Sequence, residues 1–213
     1  VYRKAGAPEV AILALHPPAE YSALYGTAVL AAQAFPEGSV TVIDSGQLSM
    51  GMGWQAIAAA EAARTDASVD SVVDLVTTIQ PRVRVFAALD TFEYLRRSGR
   101  VSWAEAIFGT LLRIKPMIEL KEGRIIPLDR VRTSRRAMDR LVALTKTMGP
   151  LEFLAVMHSN WPEGADELSH RLSGLVLERD MLTVDVTPVI GVHVGPKGLG
   201  VAAVSADRPR VSA

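Results

Sequence analysis

The sequence predicts an α/β protein, with a parallel sheet in its N-terminal part and a mixed sheet in its C-terminal part. Three observations carry this prediction. Short apolar runs alternate with longer helical segments before Pro81, the order that gives parallel strands joined by crossover helices. Two strand-like segments then flank a turn at Gly123, which is typical of an antiparallel hairpin. Strand-like runs and amphipathic segments continue as far as Ser205.

The elements of the N-terminal part, residues 1–80, follow from apolar runs and the residues that interrupt them. Val10–Leu15 and Val40–Ile43 are short and apolar, which indicates buried strands. Ser49 precedes a long apolar segment, and we expect its side chain to cap a helix. The predicted helices are Ser22–Ala34, a segment from Ser49 to about Arg64, and one that starts at Ser68 or Asp70 and ends near Ile79.

The C-terminal part, residues 81–205, is divided in the same way by Pro and Gly residues. The predicted helices are Thr91–Arg97, Ser102–Leu112, Ser134–Met148 and Ala165–Leu177. The predicted strands are Val83–Ala88, Met117–Leu120, Arg124–Leu128, Leu151–Met157, Met181–Val186 and Leu199–Val204. The sequence leaves open whether the last strand joins the first sheet, and residues 206–213 are expected to form a frayed tail.

Composition and charge exclude several classes of function. The chain has 23 basic and 23 acidic residues, so it lacks the excess positive charge that nucleic-acid binding normally needs. It has no cysteine, which excludes thiolate chemistry and fits a reducing cytoplasm, the expected location. Its 4 histidines have no short metal-ligand spacing, so no metal is expected, and it has neither a P-loop nor a dinucleotide fingerprint, so no other cofactor is expected.

The first candidate site lies where the predicted strands of the N-terminal part end. Ser22–Thr27 begins a predicted helix, whose free amide groups suit an anion such as a carboxylate. Ser45 and Ser49 follow the next strand and would face the crevice in which α/β proteins bind ligands. The alternatives for these segments are an ordinary helix start and an ordinary N-cap.

The second candidate site is in the C-terminal part. His193 lies in a glycine-rich segment that is predicted to be a loop between two strands, and glycine lets the backbone approach a ligand closely. A structural histidine is the alternative. Six arginines are candidates for a basic patch despite the zero net charge, with ordinary solvated arginines as the alternative. They are Arg96, Arg97, Arg100, Arg132, Arg135 and Arg136.

Three segments together resemble the signature of a known family. They are Leu95–Leu120, Ile43–Gly51 and Gly191–Gly200. On these segments the chain resembles the DegV family, bacterial proteins that hold a fatty acid between two α/β domains. The resemblance runs from about Glu9 to Ser205, and it implies that the N-terminal domain is incomplete.

The resemblance implies a lipid-binding site and no catalytic one. The expected ligand is a long-chain fatty acid. The residues expected to bind it are Ser22, Tyr25, Gly26, Thr27, Ser45, Ser49, His193 and Gly195. Arg96, Arg100 and Arg135 would face a partner acyl kinase, to which the protein presents the acyl carboxylate. Contact with a membrane surface would be transient at most.

Departures from the family pattern keep two other functions open. Tyr25 stands where the family has serine, and the family's Thr-Ser-x-Pro loop is not found. Lys197 stands where the family has glycine, which adds a charge and a strained backbone angle. One alternative is a degenerate member that acts as an interaction module. The other is a small-molecule enzyme that uses Ser45, Ser49 and His193, which would need serine and histidine within hydrogen-bond reach.

Overall fold

A computed structural model describes residues 1–5, 10–101, 114–176 and 179–206. Its contacts divide the chain into two compact units. The first unit comprises residues 1–81 together with the turn residues Glu122–Arg124, and the second comprises residues 82–121 and the chain from Ile125 onwards. The helix predicted at Ser102–Leu112 and most of the predicted tail lie outside the described residues.

The first unit is built on two parallel strands. Strand β1 (Ile12–His16) pairs with β2 (Val40–Asp44), with Ile12 opposite Val40 and His16 opposite Asp44. The predicted parallel arrangement is therefore confirmed. Because the strands run in the same direction, the segments that follow His16 and Asp44 leave the sheet at the same edge.

Four α-helices lie among the described residues of the first unit. They are α1 (Tyr2–Ala5), α2 (Leu24–Ala32), α3 (Met50–Ala63) and α4 (Val69–Ile79). The Ser68 hydroxyl accepts a hydrogen bond from the Ser71 amide at 3.2 Å, which makes Ser68 the N-cap of α4 and decides between the two predicted starts. Helices α3 and α4 pack together, and their core residues Ala59, Val72 and Val76 contact partly buried side chains of β1 and β2.

The second unit contains a sheet with the strand order β5-β4-β3-β8-β6-β7. Its strands are β3 (Val83–Ala88), β4 (Lys115–Lys121), β5 (Arg124–Val131), β6 (Leu151–His158), β7 (Leu182–Asp185) and β8 (Leu199–Ser205). Its described helices are α5 (Glu93–Ser98), α6 (Ser134–Lys146), α7 (Pro162–Leu172) and α8 (Pro188–Val194). The sheet is mixed, as predicted, and the last strand lies inside this sheet.

Strand β8 fixes the direction of its neighbours. It pairs antiparallel with both β3 and β6, and β6 pairs parallel with β7. The carboxyl ends of β3, β6 and β7 therefore lie at one edge of the sheet, together with the amino ends of β8 and of β4, which is antiparallel to β3. Helices α5 and α8 pack against each other and are connected to strands at this edge.

The core of the second unit lies between the sheet and helices α6 and α7. Leu141 of α6 and Leu168 of α7 are fully buried there, and so are Met117, Val156 and Val201 of the strands. Burial of such side chains contributes about 1.5–3 kcal/mol each relative to exposure. The amphipathic pattern predicted for Ser134–Met148 is therefore the pattern of a helix that covers one face of the sheet.

Helix boundaries differ from the prediction where Pro or Gly decides them. Helix α7 starts at Pro162 rather than Ala165, because proline has no amide hydrogen and fits the first position of a helix. It ends at Leu172 rather than Leu177, since Gly174 adopts a φ of +81°. Helix α2 is shorter at both ends than predicted, and it starts after Ala23.

Candidate functional site

Asp44 organises the edge of the two-stranded sheet. Its Oδ1 accepts a hydrogen bond from the Gly46 amide at 2.8 Å, and its Oδ2 accepts one from the Ala19 amide at 2.9 Å. The carboxylate thus ties together the segments that follow β1 and β2. Gln80, at the end of α4, adds a hydrogen bond from its Nε2 to the Asp44 carbonyl oxygen at 3.0 Å. Both carboxylate oxygens of Asp44 therefore have structural roles.

The Ser45 hydroxyl is engaged within the same loop. Ser45 is buried, and its hydroxyl donates to the carbonyl oxygen of His16 at 2.8 Å. The hydroxyl oxygen also accepts a hydrogen bond from the Gln47 amide at 3.2 Å. An activated serine nucleophile instead needs a basic side chain to take its proton, so this geometry gives no support to the enzyme alternative at Ser45.

Ser49 differs from the prediction in both its hydrogen bonding and its backbone conformation. It occupies the N-cap position of α3, but its side chain makes no capping hydrogen bond, so the predicted capping role is wrong. Its backbone has φ +49° and ψ −133°, a conformation that normally belongs to glycine. Strain of this kind costs of order 1–3 kcal/mol and persists at functional sites when the surroundings impose it. Ser49 therefore remains a candidate ligand-binding residue in the first unit.

The predicted site at Ser22–Thr27 is the start of α2. The Ser22 hydroxyl accepts a hydrogen bond from the Leu24 amide at 3.3 Å, and the Thr27 hydroxyl donates to the Ala23 carbonyl oxygen at 2.9 Å. Both hydroxyls are thus bonded to the backbone of their own segment. Tyr25 is half-buried and Gly26 is exposed in the first turn, where backbone amides have no intrahelical acceptor. Those amides are the donors that this segment offers to an anion.

His193 lies in the last turn of α8 and not in a loop, so the predicted loop is wrong. Pro188 occupies the first turn of the helix, where its missing amide hydrogen costs nothing. Gly195 ends the helix with a φ of +73°. Although the segment is rich in glycine, the apolar run after Pro188 thus continues as a short helix, and this helix packs against α5.

Gly195 and Lys197 shape the turn after His193. A Cβ atom at Gly195 would overlap the ring of Tyr94 on α5, so this position requires glycine for space as well as for its backbone angle. Lys197 has a φ of +58°, which is the strained backbone angle expected from the sequence. Its amide donates to the Ser159 carbonyl oxygen at 2.7 Å and ties the turn to the carboxyl end of β6.

The environment of His193 favours a neutral imidazole. The side chain is half-buried, and its Nδ1 is buried without a hydrogen-bond partner among the residues that the structure describes. Burial lowers the pKa of His193 from its ordinary value of 6.5, and the nearby Arg100 charge lowers it further. A buried ring nitrogen without a partner is unfavourable unless a ligand engages it, which makes His193 a candidate binding residue.

The arginines predicted to form one basic patch have different surroundings. Arg96 and Arg97 bond to the Glu93 carboxylate at 3.0 and 2.6 Å, and these bonds, Arg96 first, lower the pKa of Glu93. Arg100 is exposed and donates to the Ser98 carbonyl oxygen at 2.7 Å. Arg96 is thus engaged in an ion pair, whereas the Arg100 charge acts on His193.

Arg135 lies in the first turn of α6, on the exposed side of that helix. It makes no ion pair with any of the described residues. Arg135 borders a groove of about 390 Å³. The other residues that line the groove are Ser134, Met138, Asp139, Trp161, Glu167 and Arg171.

Two residues at these sites were not predicted from the sequence. Gln55 of α3 is fully buried and bonds to the loop that follows β2. Its signal in the sequence is weak, a single amide among alanines and other small or apolar residues. Tyr94 has no sequence signal at all, because its contact with Gly195 depends on the packing of α5 against α8.

The part of the chain that the structure describes offers neither a metal site nor a membrane span. No group of three or more His, Asp or Glu side chains within it is placed to hold a metal ion. None of its helices combines the length and the apolar character needed to cross a bilayer.

We expect Ser49→Gly to be more stable than Ser49→Ala by about 1 kcal/mol, because both lose the hydroxyl but only glycine relieves the strain of a positive φ. Urea denaturation of the two variants measures this difference. An alanine variant as stable as the glycine variant would show that Ser49 is unstrained.

We expect Arg100→Gln to raise the pKa of His193 part of the way towards its ordinary value, since burial is the larger cause of the shift and remains. NMR titration of the histidine ring signals provides the measurement. Arg97→Gln is the matched control, because Arg97 is paired with Glu93 and should leave His193 unchanged. A His193 pKa that is insensitive to Arg100 contradicts this electrostatic account.

Solved structures of known proteins share this fold. A DegV family protein from Corynebacterium glutamicum superposes with a TM-score of 0.85 at 32% identity, over 93% of this chain and 76% of that one. A DegV family protein from Thermus thermophilus, described by its fatty acid binding, gives a TM-score of 0.87 at 30% identity, over 96% and 74% of the two chains. DegV from Bacillus subtilis, described as a fatty acid binding protein, gives a TM-score of 0.82 at 26% identity, over 96% of this chain and 74% of that one.

Sequence comparison agrees with the structures. A DegV domain-containing protein of Streptomyces coelicolor is 39% identical over 196 residues, which cover 89% of this chain and 68% of the relative. The family described as "Uncharacterised protein, DegV family" matches residues 1–206. The chain therefore belongs to the DegV family.

Proposed function

We propose that this chain binds a long-chain fatty acid and holds its carboxylate at His193. The observation that carries the proposal is similarity to the Thermus thermophilus protein, whose fatty acid binding is part of its description. The Bacillus subtilis protein, also described as a fatty acid binding protein, adds support. In this proposal the chain is a binding protein rather than an enzyme.

The two parts of a fatty acid make different demands on a protein. Each methylene transferred from water into an apolar site contributes about 0.8 kcal/mol, so the tail supplies most of the affinity. The carboxylate cannot be buried without hydrogen-bond donors. Specific recognition of a fatty acid therefore depends on the donors at its head group.

His193 is suited to this role. Its ring is half-buried, its Nδ1 has no partner among the described residues, and its neutral form carries one N–H group that can donate to a carboxylate. The charge of Arg100, which disfavours protonation of the free histidine, would at the same time attract an anion.

The first unit supplies further candidate donors. These are the Ser49 hydroxyl, which is not used as a helix cap, and the amides of the first turn of α2 at Tyr25 and Gly26. Contacts of Ser22, Thr27, Ser45 and Gly195 with the ligand are part of the same proposal. The expectation that the acyl chain lies between two domains, with a boundary near Pro81, stays a prediction.

The finer part of the proposal is that a partner acyl kinase receives the carboxylate. Two exposed guanidinium groups support it, at Arg100 close to His193 and at Arg135 beside the groove of α6. Guanidinium groups bind phosphate through paired hydrogen bonds and are suited to an acyl phosphate or to an acidic partner. The absence of cysteine supports a cytoplasmic location for such a carrier.

Calorimetric titration of delipidated protein with palmitate tests the proposal. We expect saturable binding by the wild type and an affinity that is about ten- to a hundredfold lower in His193→Ala, because one charge-assisted hydrogen bond is lost. His170→Ala is the control, since His170 is exposed on α7, and it should bind like the wild type. A wild-type protein that binds no fatty acid would refute the function.

A further inference from the structure

The Gln55 side chain joins two points of the backbone on either side of Ser49. Its Nε2 donates to the Ser45 carbonyl oxygen at 2.9 Å and to the Gly51 carbonyl oxygen at 3.3 Å. Gln55 itself is 0% exposed. One buried amide group thus bridges the two ends of the segment Ser45–Gly51, named here the Ser49 loop, while Ser49 itself is half-buried.

This bridge bears on the strained conformation of Ser49. A non-glycine residue keeps φ +49° and ψ −133° only where its surroundings impose these angles. The loop is fixed before Ser49 by the Ser45 hydroxyl, which bonds to His16 on β1. It is fixed after Ser49 by α3, which carries Gln55 in its second turn. The Gln55 amide connects these two anchors directly.

The carbonyl oxygen of the Gln55 side chain lacks a hydrogen-bond donor among the described residues. Its Oε1 is buried and accepts no hydrogen bond from any residue that the structure describes. A buried acceptor without a donor is unfavourable, and an apolar side chain of similar size would avoid it. Buried polar atoms are normally hydrogen-bonded, and a buried acceptor that has no donor and brings no gain in packing usually has a functional reason.

Gln80 offers an internal comparison. Its Nε2 also donates to a backbone carbonyl at the edge of the small sheet, that of Asp44, at 3.0 Å. This bond anchors the end of β2, before the Ser49 loop begins, and it does not span Ser49. Gln55 and Gln80 thus share the same chemistry and differ in whether they bracket the strained residue.

We propose that Gln55 is a positioning residue, which holds the Ser49 loop closed so that the Ser49 hydroxyl is presented to the carboxylate of the ligand. This inference rests on the proposed function for the identity of the ligand. Its structural half, the control of the loop by Gln55, is independent of that function.

The test compares Gln55→Met with Gln80→Met, two substitutions that each remove one buried or half-buried amide. Hydrogen exchange of the amides of residues 46–51, measured without ligand, reports on the loop, and palmitate titration reports on binding. For Gln55→Met we expect exchange in the loop to become about tenfold faster and palmitate affinity to fall about tenfold. For Gln80→Met we expect both quantities to stay within about twofold of the wild type.

The possible outcomes test separately the positioning role of Gln55, its link to the ligand and the proposed function. Unchanged loop exchange in Gln55→Met overturns the positioning role, and equal effects of the two variants do the same. Faster exchange with unchanged palmitate affinity overturns the link to the ligand. If the wild type binds no palmitate, the proposed function fails, whereas the exchange comparison still decides the role of Gln55. Gln55→Glu, which keeps the size of the side chain but has no amide donor, serves if the methionine variant does not fold.

Discussion

The antiparallel pairing of β8 with β3 and with β6 is the constraint on which the second unit depends. Because β8 lies between them, β3 and β6 must run in the same direction. Helix α5, which follows β3, and Ser159, which follows β6, therefore lie at the same edge of the sheet. Helix α8 precedes β8 at that edge and packs against α5; its His193 is half-buried, and burial and the charge of Arg100 lower the pKa of His193. Strand order thus places the helix that carries His193 and the helix that precedes Arg100 at the same edge of the sheet.

The general architecture follows from local patterns in the sequence. Apolar runs ended by Pro or Gly predict the strands, and amphipathic spacing predicts α6, whose Leu141 is buried against the sheet. The sites were less predictable. His193 was expected in a loop because of the surrounding glycines, yet only the packing of α5 against α8 decides which of them end a helix. Ser49 looked like a normal cap, since no sequence pattern reveals its positive φ.

Each unit holds a polar residue in an energetically unfavourable setting. The second unit offers a neutral imidazole with a buried, unpartnered nitrogen, and the first offers a hydroxyl on a strained loop. Both features destabilise the folded protein, because unsatisfied polar atoms and strained backbone angles lower the free energy of unfolding. Such costs are expected at binding sites, where the groups that meet a ligand are held in place before it binds. The same donors would serve any long-chain acid, so chain length would depend on the apolar part of the site.

The most direct measurement is the pKa of His193 with and without palmitate, followed by NMR of the imidazole nitrogens. A carboxylate in hydrogen-bond contact favours the charged imidazolium, so we expect palmitate to raise the pKa of His193 above its value in the free protein. Hexadecanol, which has the same tail length but no charge, should not raise it. A His193 pKa that stays unchanged or falls when palmitate is bound would contradict the assignment of His193 to the head group.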